Sequence, residues 1–391
     1  MIDAIKGNKR SYRVNRESEK TEGRKIEHIL ICLSKNVIPK EKTTGLEDIE
    51  FVHVSLPEIN KSDIDTSIKL LGHELAAPIV IAAMTGGHPK AAKINATLAE
   101  AAQELNIAMG VGSQRAALED PSLEYTYSIA REKAPDILLI GNIGAPQILE
   151  KNRIENIRKI VEMIDADAVA IHLNALQEAI QPEGEAVFKG VLSAIKDIVE
   201  KIEVPIIAKE TGAGFAREEA RSLERIGVKA IDVGGTGGTS WAAVETYRAE
   251  KFGMHFAAGI GKTFWDWGIP TTISTIETSF FTNNIEIIAT GGVRTGLDAA
   301  KLISLGANAV GISLPLLKPA YEGKVEKIIQ ILQKVIEELK ITMFLVGASK
   351  IDDLKKADII IMGRTAEWLK ARGFDITIFA NRRKQQKEKI K

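Results

Sequence analysis

From Pro78 onward the chain carries short, continuous apolar runs at a regular beat. They are PIVIAAM (78–84), NIAMGVG (106–112), DILLIGN (136–142), DAVAIHLN (167–174), VPIIAKE (204–210), VKAIDVGG (228–235), IEIIATGG (285–292) and ANAVGISLP (307–315). The runs are β-branched and bounded by Gly, Asn or Pro, as strands of a parallel sheet buried on both faces are. Between most of them the period changes. Ile94, Leu98, Ala101 and Leu105 recur at helical spacing, as do Ile154, Ile157, Val161 and Ile164, and then Val191, Ile195, Ile198 and Ile202. Alternating strand and helix units, eight in all, predict an α/β fold: a (β/α)8 TIM barrel over 78–320.

The flanks read differently. Residues 1–23 lack hydrophobic periodicity and are expected to be a mobile leader. Residues 24–77 are expected to supply an N-terminal cap and barrel plug. Within them Arg24, Lys25 and His28 lead into IEHILICL, and IEFVHVSL (49–56) and DTSIKLL (65–71) partly alternate around Pro57 and Asn60, as a plug or hairpin would. Between the sixth and seventh runs lies a long Gly-rich, aromatic connection containing KFGMHFAAGIGKTFWDWGIPT, which predicts a lid or subunit contact. Residues 321–379 are expected to be C-terminal helices packed on the barrel, one over Val325–Leu339 and one from about Leu354 to Ala371. Residues 380–391 form a basic tail assigned to solvent.

Composition then narrows the function classes. Lys plus Arg and Asp plus Glu are both 52, so the formal net charge is zero. That argues against a general nucleic-acid or membrane binder and makes any anion recognition local. One cysteine, Cys32, excludes an internal disulfide and a multi-cysteine metal site, which suits a reducing, intracellular setting. The amino terminus is polar and no membrane-length apolar run occurs, so a cytoplasmic protein is expected.

Candidate chemistry sits where the apolar runs end. The fourth run passes directly into His172, Asn174, Gln177 and Glu178. The other ends carry Met84 to Gly87, Gly112 to Arg115, Asn142, Lys209 and Glu210, Gly234 to Ser240, Gly291 to Arg294, and Gly311 to Ser313. Ligands of parallel α/β proteins gather at these carboxyl ends, and packing alone does not explain polar sets on all of them. Glycines after the last two strands let backbone N–H groups approach a phosphate, aided by a helix beginning near Leu297; tight turns are the plainer reading. Lys209 can hold a reduced flavin anion or simply pair with Glu210. Taken locally, Arg24 and Lys25 read as a solvated helix start.

Nine segments carry a resemblance to type 2 isopentenyl diphosphate isomerases, the flavin-dependent family, across about residues 24–370. They are RKxxH (Arg24–His28), AMTGG (83–87), GSQR (112–115), NIGAPQ (142–147), HLNALQE (172–178), KETG (209–212), VGGTGGTSW (233–241), DWGIPT (266–271) and ATGGVRTG (289–296). The resemblance implies FMN in the barrel mouth. Met84, Thr85, Ser113 and Asn142 would line its ring, with Lys209 near the N1 and O2 edge. Thr239, Gly291, Gly292, Arg294, Gly311 and Ile312 would surround its phosphate. The substrate diphosphate would meet Arg24, Lys25, Arg115 and His172, a concentration of donors suited to that charge. Glu178 would hold Mg²⁺, largely through water.

The implied activity is interconversion of isopentenyl and dimethylallyl diphosphate, through a cation-like tertiary carbon. No cysteine acid lies at the strand ends, and reduced FMN can give and take the proton instead, with NAD(P)H as the reductant that charges the enzyme. Gln177 would face the reacting carbons, with His172 and Lys209 completing the catalytic set. A homo-tetramer or homo-octamer is implied by resemblance. Two other readings are an FMN-dependent 2-hydroxy acid oxidase, which would need a His and Arg pair where VGGTGGTSW stands, and an inactive flavin-binding scaffold. A cysteine-dependent nucleotide dehydrogenase is disfavoured because Cys32 lies too early.

Overall fold

Residues 23–383 are described by the structure, a computed structural model; the expected leader up to residue 22 and the tail from residue 384 lie outside them, while Arg382 and Arg383, at the start of the expected tail, are not left to solvent but donate to the Ser304 and Val346 carbonyls. Residues 23–34 form a helix, followed by three short strands, β1 (Ile49–Phe51), β2 (Ile68–Leu70) and β3 (His73–Leu75). The barrel strands are β4 (Ile79–Ile81), β5 (Ala108–Gly110), β6 (Leu139–Gly144), β7 (Ala168–Leu173), β8 (Ile206–Glu210), β9 (Ala230–Asp232), β10 (Glu286–Thr290) and β11 (Ala309–Ile312). All eight pair in parallel, and β11 closes the ring onto β4 through Val310↔Ile79 to Ile312↔Ile81. The α/β barrel expected from the apolar runs is therefore the fold.

Small side chains decide how the barrel is closed at its amino end. Ala108, Ala168, Ala170, Ala230 and Ala309 face the interior beside Val80, Ile140, Ile207 and Ile288, leaving space that Leu70 and Leu75 of the β2–β3 hairpin fill. Burying each leucine contributes roughly 2 kcal/mol. The hairpin turns at Leu71 and Gly72, with φ 47° and 89°, the positive values that a tight two-residue turn matching strand twist requires. The Leu71 N–H donates to Glu286 at the start of β10, tying the plug to the barrel.

Two local expectations change. IEFVHVSL does not pair with DTSIKLL; β1 instead runs antiparallel to β12 (Ile359–Ile361), far along the chain and outside the barrel. The expected helix from Leu354 is accordingly interrupted. Ile359 and Ile361 are buried while Ile360 is exposed, a period of two, and the helix begins only at Gly363 and runs to Ala371. The preceding helix is longer than its apolar period indicated, Val325–Leu345.

The segment before the barrel thus serves both of its ends. The hairpin fills the amino end, while the helix of residues 23–34 brings Ile29 and Cys32 to the carboxyl mouth. The connection after β9 forms helices Trp241–Lys251, His255–Thr263 and Thr271–Ser279, with Thr236 bridged to Pro270. Among the described residues no helix is long and apolar enough to cross a membrane.

Candidate active site

The carboxyl ends of the barrel strands and the helix of residues 23–34 line a cleft that opens to solvent. From the barrel it is lined by Met84, Thr85, Ser113, Arg115, Asn142, His172, Gln177, Glu178, Lys209, Thr239, Gly291, Gly292, Arg294 and Gly311. Arg24 and Lys25 reach it from the helix. Ile312 does not: its side chain is buried in the hydrophobic core, and its neighbours Gly311 and Ser313 line the cleft.

One side of the cleft is a backbone cradle. A Cβ on Gly238 would lie 2.7 Å from the Gly292 nitrogen, and one on Gly291 would lie 2.1 Å from the Gly235 oxygen. Only glycine permits this approach, and at Gly291 and Gly292 it also permits φ of 110° and 90°. Two helices start here. Gly296–Ser304 is capped by Thr295, Asp298 and Glu338, whose carboxylates offset its positive end, while Leu314–Glu322 follows Ser313 and presents its own. Arg294 donates to the Val293 carbonyl at 2.9 Å, and burial lowers its pKa. Its guanidinium makes no salt bridge among the described residues. A desolvated cation beside helix N-termini suits a phosphate. Further in, the Thr85 hydroxyl and the Asn174 side-chain oxygen are buried without hydrogen-bond partners. Such atoms call for a ligand. The set fits a phosphate-bearing group with polar edges.

The ends of β8, β9 and β10 are joined beneath the cleft. Lys209 Nζ lies 2.8 Å from Asp232 Oδ2 and donates to the Glu210 carbonyl at 3.1 Å. The Thr290 hydroxyl donates to the other Asp232 oxygen. Lys209 is thus paired with Asp232 and not with the Glu210 carboxylate, which accepts from Thr211, Gly212, Ala213 and Gly214 N–H groups. Burial nevertheless pushes Glu210 up to about 7.

A cationic corner forms where the helix of residues 23–34 meets β5 and β7. Lys25 Nζ donates to the Ser113 carbonyl at 3.3 Å, and Arg115 Nε donates to Glu119 at 2.6 Å. Burial and the Arg24 and Arg115 charges lower Lys25 to about 7. His172 Nδ1 is 2.8 Å from Asn142 Oδ1. Burial, Lys25 and Lys209 push His172 down to about 3, so its imidazole is neutral until an anion arrives.

Adjoining this corner, through the Arg115–Glu185 ion pair at 3.8 Å, is an amide and carboxylate wall. Asn174 Nδ2 donates to Gln177 Oε1 at 3.2 Å and to Glu178 Oε1 at 3.0 Å. Gln181 Nε2 and the Glu185 N–H donate to Glu178 Oε2. Gln177 Nε2 donates to Glu245 Oε1 at 3.4 Å. That oxygen is 2.9 Å from His28 Nε2, and Arg248 donates to Oε2 at 3.3 Å. Burial works to raise the Glu245 pKa, but His28 and Arg248 prevail and hold it below the usual range. His28 also packs edge-on against Trp241, ring centroids 5.1 Å apart. Glu245, His28 and Trp241 carry no chemical role in the sequence reading, although His28 ends the RKxxH segment and Trp241 the VGGTGGTSW segment, and Glu245 lies one helical turn beyond Trp241. No group of three or more His, Cys, Asp or Glu residues suited to a metal occurs among the described residues.

Known proteins share both the fold and the sequence. Residues 18–124 and 174–361 match the FMN-dependent dehydrogenase family. Solved structures of similar fold include a flavocytochrome b2 variant with sulfite bound (TM-score 0.63, 17% identity, 93% of this chain and 88% of that one). A mandelate oxidase variant gives 0.58 at 16% identity, covering 86% and 96%. Much nearer in sequence are isopentenyl-diphosphate delta-isomerases. That of Methanothermobacter thermautotrophicus is 53% identical over 92% of this chain and 99% of its own length. That of Pyrococcus furiosus is 49% identical over 94% and 93%. With this identity along nearly its whole length, the chain belongs to the flavin-dependent, type 2 isopentenyl-diphosphate delta-isomerase family, an enzyme family on the FMN-dependent dehydrogenase barrel.

Proposed function

We propose that the protein interconverts isopentenyl diphosphate and dimethylallyl diphosphate by an allylic 1,3-proton shift, supplying isoprenoid biosynthesis, with reduced FMN in the cleft. The supporting observation is the presence of two separate anion sites in one cleft. Glycine backbone and Arg294 form the first, suited to the FMN phosphate; Arg24, Lys25, Arg115 and His172 form the second, suited to a diphosphate. Reduced FMN supplies a proton donor and acceptor and an electron-rich face for developing positive charge.

The chain's own residues then bind and orient. Gln177 faces the reacting carbons, and Glu245 stands behind it. A proton lost from beside a cation-like carbon needs only a weak base; Glu245 does not itself line the cleft, so a proton would reach it through the Gln177 amide. Helix 23–34 excludes water from the step. Lys209 faces the flavin edge, and Met84, Thr85, Ser113 and Asn142 its ring. Glu178, a carboxylate on the cleft wall, would hold Mg²⁺ against the substrate's diphosphate. NAD(P)H is the proposed reductant and a cytoplasmic location the proposed setting, without nucleic-acid or membrane partners. Self-association, as the homo-tetramer or homo-octamer that the resemblance implies, would cover the exposed Phe252, Phe256, Ile260 and Trp267 of the long connection.

A 2-hydroxy acid oxidase shares the barrel, but Val233–Trp241 offers neither the His nor the Arg that it needs. The test is anaerobic: photoreduced, FMN-loaded protein with Mg²⁺ should interconvert the two diphosphates. Failure to do so, with FMN bound and reduced, overturns the isomerase reading. Flavin bleaching by a 2-hydroxy acid would favour the oxidase, and loss of both reactions the scaffold.

A further inference from the structure

Asp232 is the acidic side chain that pairs with Lys209 beneath the cleft, and it does not itself line the cleft. Its carboxylate is 9% exposed and the Lys209 side chain 12%. In such surroundings two opposite charges 2.8 Å apart are screened weakly, so each strongly alters the field of the other. The pair is also held in place. Register puts Lys209 beside Asp232 on adjacent strands, and Asp232 beside Ile288 on the next. Thr290, which lines the cleft, donates to the second Asp232 oxygen while its own oxygen accepts the Gly234 N–H at 3.0 Å. An ammonium has three donors; Asp232 and the Glu210 carbonyl take two, leaving one for the cleft.

We propose that Asp232 is a positioning residue that meters the positive charge Lys209 presents to the flavin, and thereby sets the flavin's reduction potential. The inference rests on the proposed placement of Lys209 at the flavin edge. An isolated lysine there would favour the negatively charged reduced ring strongly. The Lys209–Asp232 pair presents an aimed N–H with little net charge. That difference matters for an isomerase: once reduced, the flavin would need to carry an exchangeable proton at the start of each turnover. A full positive charge at the edge would pull that proton off.

The test is the two-electron midpoint potential of bound FMN at one fixed pH, with the absorption spectrum of the reduced protein. Asp232→Asn should move the reduced-to-oxidised equilibrium by about tenfold toward reduction, an upward shift of ~30 mV. Its reduced spectrum should shift toward the anionic form. Asp232→Ser, a second neutral substitution that also removes the partner of Lys209, should move both readouts the same way, and it decides the matter if Asp232→Asn does not fold. Asp232→Glu should restore the original potential. An unchanged or lowered potential in folded, FMN-loaded variants overturns the proposal. Lys209→Met separates the two levels: if it leaves spectrum and potential unaltered, Lys209 does not face the flavin and the underlying placement is wrong.

Discussion

Gln177 Nε2 donates to Glu245 Oε1 at 3.4 Å, and the same carboxylate oxygen is held by His28 at 2.9 Å. An amide in the cleft is thereby backed by a buried carboxylate from another part of the barrel. If Gln177 orients the alkene and Glu245 receives the proton, Glu245→Gln should lower kcat about a hundredfold or more with little change in KM or FMN content. Gln177→Ala should fall in parallel, and the double variant should lose little beyond either alone. Full turnover by Glu245→Gln, assayed anaerobically on photoreduced enzyme, would remove the carboxylate from the proton path.

The cationic corner makes a pH prediction whose sign is fixed. Burial, Arg24 and Arg115 bring Lys25 to about 7 in the free protein. Above that pH Lys25 of the free site loses its charge, and a bound diphosphate restores it, so binding takes up a proton. KM should therefore rise about tenfold per pH unit above about 7 until the complex itself titrates. Lys25→Arg, which stays charged, should flatten the rise. His172, pushed down to about 3, should add proton uptake at lower pH, visible as buffer-dependent binding heat that His172→Gln reduces. A KM flat from pH 7 to 9 in the unaltered enzyme would exclude Lys25 from the diphosphate site.

How much of this could be read in advance depends on where the information resides. Each barrel strand is a self-contained apolar run ending in glycine or polar residues, so the barrel and the cleft lining were legible from the chain alone. Relations across the chain were not. IIIM at 359–362 reads equally as helix or strand until β1 is placed beside it. Asp232 looks like an interruption in a strand, and only register brings it to Lys209. Glu245 lies on a helix whose cleft-facing side is defined by His28, more than two hundred residues earlier.

The glycine cradle predicts a selective loss of cofactor. Gly238→Ala would put a methyl group 2.7 Å from the Gly292 nitrogen, against backbone that cannot swing aside. The expected product is a folded protein with far-UV circular dichroism unchanged, purified nearly colourless, and FMN affinity reduced tenfold or more, on the order of 1.4 kcal/mol. Normal FMN content would mean that the cradle holds no phosphate.

The opposite end of the barrel should be separable from the chemistry. Leu75 is 1% exposed among the small alanines of the barrel floor, and Leu75→Ala leaves a void that neighbouring strands, locked in register, cannot collapse to fill. The expected cost is about 2–5 kcal/mol, read as a lower urea midpoint. Binding residues stand at the carboxyl ends of the strands, whereas the hairpin touches only the amino end. FMN affinity and KM at low temperature should therefore stay near those of the unaltered protein. If Leu75→Ala instead weakens FMN binding in proportion to its loss of stability, the plug and the cleft are one cooperative unit. The helix and the hairpin that precede the barrel would then act together, despite their places at opposite ends.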